Sequence, residues 1–400
     1  MAELFLVVVF VPRLAAAEPR ETLDATSGLH AALKDSGISV GAVLKFDFAH
    51  NVRGGLRRDG TVLGNFDLTC EVDTQEAGGW RGGTFFLYGL GNWNFGGFIS
   101  DLVGDLQITS NIEATEAARL YEAWYEHRFA ADRLSVLGGL HDFNSEFDVI
   151  EYGLMFINSS FGISPDIAQT VPSIFPTTAL ALRVRIEPTE DSYLLAGVYD
   201  GVPGDPNDST RTTIKLEKGD GVFAALEAGL AWGEPGHDDY FKLGVGAWLH
   251  TAQLENFDGE LHDRNFGLYL IGEKALYSEA DGTQGLGAFV QLGYADENRN
   301  RLAYYWGAGL RYVGLIPGRD RDEVGVAAAS VWNGGEFVRF SENVAMTPVE
   351  RTETVIEVAY RAEIQPGLIL QSDVQYIIHP SMDPGLENAL QVGIRLEMSF

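Results

Sequence analysis

From residue 38 onward the chain alternates apolar and polar side chains with a period of two. In residues 38–48, Val40, Ala42, Leu44, Phe46 and Phe48 share one face of an extended backbone, while Ser39, Gly41, Lys45 and Asp47 share the other. In 61–73, Val62, Phe66, Leu68, Cys70 and Val72 alternate with Asn65, Asp67, Thr69, Glu71 and Asp73. Successive strand side chains point to opposite sides, so each segment is apolar on one side and charged on the other. The pattern returns at 83–93, 118–129, 133–143, 179–187, 192–200, 221–232, 240–250, 265–275, 285–294, 304–314, 322–332, 351–364, 368–378 and 388–400. That predicts about sixteen strands of roughly ten residues, an even number and a length suited to tilted membrane strands; strands of soluble proteins are nearer five or six.

The connections alternate too. Tight turns rich in Pro, Gly and Asp, at Pro188 to Asp191, Gly233 to Asp239, Pro317 to Asp322 and Gln365 to Gly367, separate longer loops. This rhythm predicts an all-β fold: a transmembrane antiparallel up-and-down β-barrel with short periplasmic turns and long external loops. Trp93, Tyr125, Phe129, Trp232, Tyr240, Phe241, Tyr305, Trp306 and Trp332 fall near strand ends, where interfacial girdles are expected. A soluble β-sandwich with ordinary core aromatics is the competing fold.

The first residues carry an apolar run, Leu4 to Val11, followed by Ala15, Ala16 and Ala17, which is the core and cleavage site of a secretory signal over 1–17. No Lys or Arg precedes the run and Arg13 follows it, as in a signal whose start is truncated or misassigned. Residues 18–37 read as a short periplasmic segment with one short helix marked by Leu29, Leu33 and Gly37, and 38–400 as the barrel. No later segment is apolar for the roughly 20 residues of a spanning helix. A membrane-embedded form must therefore cross as a closed barrel, since that alone pairs the remaining backbone groups within lipid.

Composition adds exclusions. Lys and Arg number 28 against 57 Asp and Glu, a formal charge of −29, which excludes nucleic acid as a partner because phosphate binding needs a basic surface. The single Cys70 cannot form an internal disulfide. GxSxG, HExxH, P-loop and CxxC motifs are absent and the eight His are scattered, so neither an enzyme, a cofactor nor a metal is expected.

The longest loop, 144–178, carries Phe147, Ile150, Leu154, Met155, Phe156 and Phe161, too apolar a set to stand in water. As the third external connection it is expected to fold inward and narrow the pore, carrying Glu146, Asp148 and Glu151. The next strand places Arg183 and Arg185 opposite Leu180, Leu182, Val184 and Ile186; with those on lipid, both arginines face the lumen. Acid on the loop opposite base on the wall either sets a transverse field or neutralises and pins the loop. Parity also turns Glu126, Trp124, Trp248, Glu357, Arg361, Glu363, Asp373, Gln375, Arg395 and Glu397 inward.

Several stretches resemble the carbohydrate-selective porin family, the OprB type: RLYEAWYEHRF (119–129), NSEF (144–147), PSIFPTTALALRVR (172–185), ETVIEVAYRAEIQPGLILQSDVQYIIHPS (353–381) and the ending LQVGIRLEMSF. Gly28, Leu29, Leu33, Gly37 and Ile38 match the family's N-terminal pattern. The resemblance implies a sixteen-stranded barrel in the bacterial outer membrane, an inward constriction loop, and passive diffusion of mono- and small oligosaccharides. It makes small neutral sugars, outer-membrane lipid and lipopolysaccharide the partners, Phe400 the signal read by the barrel assembly machinery, and a homotrimer one open assembly state. The acid surplus keeps a general cation-preferring porin as an alternative. A non-transporting structural or adhesive barrel is the second alternative.

Overall fold

The computed structural model describes residues 33–400 except 256, 258, 260, 263 and 280–283. The expected signal, 1–17, and nearly all of the expected short N-terminal helix lie outside the described residues. Sixteen antiparallel strands close into one barrel: β1 Ile38–Arg53, β2 Gly60–Asp73, β3 Gly83–Asn94, β4 Ala117–Phe129, β5 Leu134–His141, β6 Ala179–Thr189, β7 Ser192–Asp200, β8 Val222–Trp232, β9 Phe241–His250, β10 Asn265–Ser278, β11 Gly285–Ala295, β12 Leu302–Val313, β13 Glu323–Asn333, β14 Thr352–Gln365, β15 Leu368–Ile378 and β16 Ala389–Ser399. Each strand pairs with its sequence neighbours, and β1 closes on β16 with Lys45 opposite Glu397 and Asp47 opposite Arg395. Closure leaves no strand edge unpaired, the condition for lying in hydrocarbon.

The period of two decides which side meets lipid. Phe48, Leu68, Leu87, Leu182, Leu194, Leu226, Val245, Leu268, Val290, Val326, Val358, Val374 and Ile394 are exposed on the outer surface. Their sequence neighbours Asp47, Asp67, Arg183, Glu227, Gln291, Glu357, Asp373 and Arg395 are buried on the inner face. No helix among the described residues is long and apolar enough to cross a membrane. Trp93, Phe129 and Trp232 stand on the outer surface as girdle residues should. Tyr240 and Tyr305 do not: both are buried, and their hydroxyls donate inward to Glu273 (2.9 Å) and to the Ser160 carbonyl (2.6 Å).

The short connections, 130–133, 190–191 and 366–367 among them, lie at the end that holds the chain termini. In the last of these, Pro366 fixes one turn residue and Gly367 adopts φ 79, the pair that a type II turn requires. The long connections 95–116, 142–178, 201–221 and 334–351 share the opposite end. At the terminal end Phe400 exchanges backbone hydrogen bonds with Ala42 (2.9 and 3.3 Å), extending the seam between β1 and β16.

Candidate pore-lining site

Residues 142–178 contact the inner face of β6 to β15, chiefly through two kinds of interaction. Phe143, Phe147, Ile150, Met155, Phe156, Phe161 and Ile167 form one buried cluster with Tyr199, Phe223, Tyr269, Phe289 and Val355 of the wall. Between them, backbone N–H groups donate to wall carboxylates: Asp148 to Glu227 (3.0 Å), Tyr152 to Glu273 (2.6 Å), and Ile157 and Asn158 to Glu357 (2.8 and 3.0 Å). An irregular segment leaves many donors without ladder partners, and inward-facing acids supply the acceptors.

Loop 95–116 adds a second set of contacts that the alternation pattern, which ends near residue 93, does not mark. Leu106 and Gln107 donate their N–H groups to Glu353 (2.9 and 3.0 Å), and Gln375 donates to the Thr109 carbonyl (2.9 Å). Ser110 donates to Asp47 (2.6 Å), and the Asn111 side chain accepts from Arg395 (2.8 Å). The two loops are joined by Asn111 N–H to the Ile157 carbonyl (2.8 Å) and Ser159 N–H to the Ile108 carbonyl (3.0 Å).

Of the residues singled out by sequence, Glu126, Glu146 and Arg183 come together. Arg183 donates to Glu126 (2.8 Å), Glu146 (2.7 Å) and Ser135 (2.5 Å) and is 1% exposed. Asp148 is not part of that group. Its carboxylate accepts from the Ser164 N–H (2.8 Å) and is fully buried under the loop. Arg185 is also separate, donating to Glu187 (2.8 Å) with its guanidinium over the Tyr193 ring. Trp124 donates to Glu122 (3.0 Å) and stacks on Phe86. Glu151 is half-buried at the turn before Tyr152. Arg395 makes a two-pronged bond to Asp47 (2.6 and 2.7 Å), and Arg361 bridges Glu397 (3.1 Å) and Glu323 (3.5 Å). Lys45 with Asp67 (3.1 Å) and Arg311 with Glu323 (2.8 Å) repeat the pairing. On the inner wall Lys45, Arg183, Arg185, Arg311, Arg361 and Arg395 each sit beside an acid, whereas Arg119 donates to the Thr177 hydroxyl (2.9 Å) and Lys242 to the Val149 carbonyl (2.8 Å).

A model of the carbohydrate-selective porin, OprB family, matches residues 57–400. The chain belongs to this family. The porin is 24% identical to Porin B of Pseudomonas aeruginosa over 395 residues, covering 88% of this chain and 85% of that one. Its fold is similar to Pseudomonas putida OprB at high pH, with a TM-score of 0.82, 19% identity and coverage of 94% and 97%. The low-pH structure of the same protein gives 0.61 at 18% identity, covering 94% and 98%. The porin is an outer-membrane channel through which carbohydrates diffuse passively, not an enzyme.

The acids of loop 142–178 link its packing to pH. Burial pushes the Asp148 carboxyl up to about 7, helped by Glu227 and opposed by the Ser164 bonds and Lys242. Burial likewise raises Glu151 to about 7, with Glu273 adding and Lys242 and Arg311 opposing. An unfolded carboxyl titrates near 4, so the folded loop holds more protons between about pH 4 and 7, and stability falls as pH rises through that window. Backbone amides of 147–165, corrected for intrinsic rates, are expected to exchange more slowly at about pH 5 than at about pH 8. Equal protection at both values would remove the linkage.

Proposed function

We propose that residues 142–178, with loop 95–116 bonded alongside, narrow the lumen to an eyelet, and that the paired charges on the remaining wall select hydroxyl-rich neutral solutes. The carrying observation is the pairing itself: Lys45–Asp67, Arg185–Glu187, Arg311–Glu323, Arg361–Glu397 and Arg395–Asp47. A wall of paired charges presents fixed donors and acceptors while keeping its mean field low, which suits sugar hydroxyls better than a bare ion. The roles divide by exposure. Arg183, sealed between Glu126 and Glu146, pins the loop, whereas the partly exposed Arg361, Arg185 and Lys45 touch the solute.

Residues 1–17 would direct export, the outer apolar surface would meet lipid and lipopolysaccharide, and Phe400 would be read by the barrel assembly machinery. A homotrimer is compatible with this surface.

In a planar bilayer, a monosaccharide is expected to reduce ion conductance saturably, and Arg361→Ala to weaken that block about tenfold, the worth of one charge-assisted hydrogen bond. An unaltered sugar affinity would take Arg361 out of the path. Strong cation selectivity without sugar block would contradict the paired-wall reading.

A further inference from the structure

The packing of residues 148–166 against β8 to β12 buries more acid than base. Asp148, Asp166, Glu227 and Glu273 are between 0% and 3% exposed. The basic group among them is Lys242, whose Nζ donates to the Val149 carbonyl (2.8 Å). Two of the acids are satisfied. Glu227 accepts from Tyr193, Tyr269 and the Asp148 N–H (2.7, 2.7 and 3.0 Å), and Glu273 accepts from Tyr240 and the Tyr152 N–H (2.9 and 2.6 Å).

The other two are not. Neither carboxylate oxygen of the fully buried Asp166 meets a donor among the described residues, and Asp148 Oδ1 is also without one. Burial first, and then the nearby charge of Asp148, push the Asp166 carboxyl up. The Asp166 carboxylate sits over Gly293 of β11, so close that a Cβ there would fall 2.1 Å from Oδ1.

A third side chain points the same way. Gln291, fully buried, is the next inward position on that strand, and its Nε2 has no acceptor. Its Oε1 lies 3.1 Å from the Tyr305 hydroxyl, but that hydroxyl's single proton already goes to the Ser160 carbonyl at 2.6 Å. Exchanging amide O and N, which shape does not distinguish, lets Nε2 donate to the Tyr305 oxygen and frees Oε1 as an acceptor.

We propose that Asp166, Asp148 and the Gln291 amide oxygen hold one hard divalent cation of the Ca2+ type, clipping residues 148–166 to β11. The donors are all oxygen, and buried carboxylates without donors are costly unless a positive charge joins them. Ca2+ accepts irregular oxygen sets, with carbonyls and water completing its shell, whereas Mg2+ demands a near-ideal octahedron. The Asp166 carboxylate meets β11 where Gly293 leaves room for it, and the Ser164 N–H holds the Asp148 carboxylate beside the same stretch of loop.

The test uses the full chain refolded in detergent, stripped with a chelator, and titrated with Ca2+ at about pH 8 by calorimetry, with folding scored separately by heat-modifiable gel mobility. One saturable high-affinity equivalent is expected. Asp166→Asn and Gly293→Ala should each weaken it at least tenfold, Gln291→Glu should tighten it, and Asp208→Asn on the exposed loop should leave it unchanged. A wild-type chain with no such equivalent overturns the site, as does an equivalent that survives in folded Asp166→Asn or Gly293→Ala. Absence of the equivalent together with proton uptake by the wild type alone would show that a shared proton takes the cation's place. Should a variant fail to fold, the wild-type stoichiometry and the direction of the Gln291→Glu change decide.

Discussion

Arg183→Ala is expected to cost the folded barrel about 3–5 kcal/mol, the penalty for leaving buried charges without their partner. The guanidinium is 1% exposed and bonds Glu126 of β4, Ser135 of β5 and Glu146 of the loop at once, so its removal strands two carboxylates and frees the loop at its start. The change should appear as a lower denaturant midpoint in detergent or lipid, together with larger and noisier single-channel conductance. Glu146→Gln, which keeps one hydrogen-bonding oxygen, should cost less. A variant as stable as the wild type with the same conductance would rule out the pinning role.

The second large effect concerns the outer surface. Leu226 is 63% exposed at the middle of β8, next to the inward Glu227, which is 3% exposed. Leu226→Arg puts a guanidinium against the hydrocarbon midplane and is expected to cost about 2–4 kcal/mol, measured as the free energy of folding into lipid vesicles. Thr69→Lys, on the inner face of β2, should cost well under half of that, since water is available there. Equal penalties at both sites would mean that the two faces had been assigned wrongly.

The barrel was legible because lipid outside and water inside impose opposite demands on alternate residues. A one-residue error in a strand would move every side chain to the wrong face, so Phe48 and Asp47, or Leu182 and Arg183, mark the wall unambiguously. Tyr240 and Tyr305 lie near strand ends, as girdle residues do, but their parity turns them inward. What the loops touch was legible only in part. The apolar load of 144–178 calls for burial, and Phe147, Ile150, Met155, Phe156 and Phe161 are buried while Leu154 stays 55% exposed. Charge alone could not say which acid meets Arg183, because Glu146 and Asp148 sit two apart on an irregular segment; the left-handed backbone at Asp148 (φ 57) helps send its carboxylate to Ser164 instead. Loop 95–116 carried no signal, since its bonds to Glu353, Gln375 and Arg395 join residues more than two hundred positions apart.

Osmotic swelling of vesicles bearing the purified porin, across a series of neutral sugars from pentose to trisaccharide, addresses the pore most directly. The expected result is rapid swelling in monosaccharides that slows steeply with size. Vesicles that swell in none of them, or at the same rate in all, would contradict a wet, loop-narrowed path for sugars.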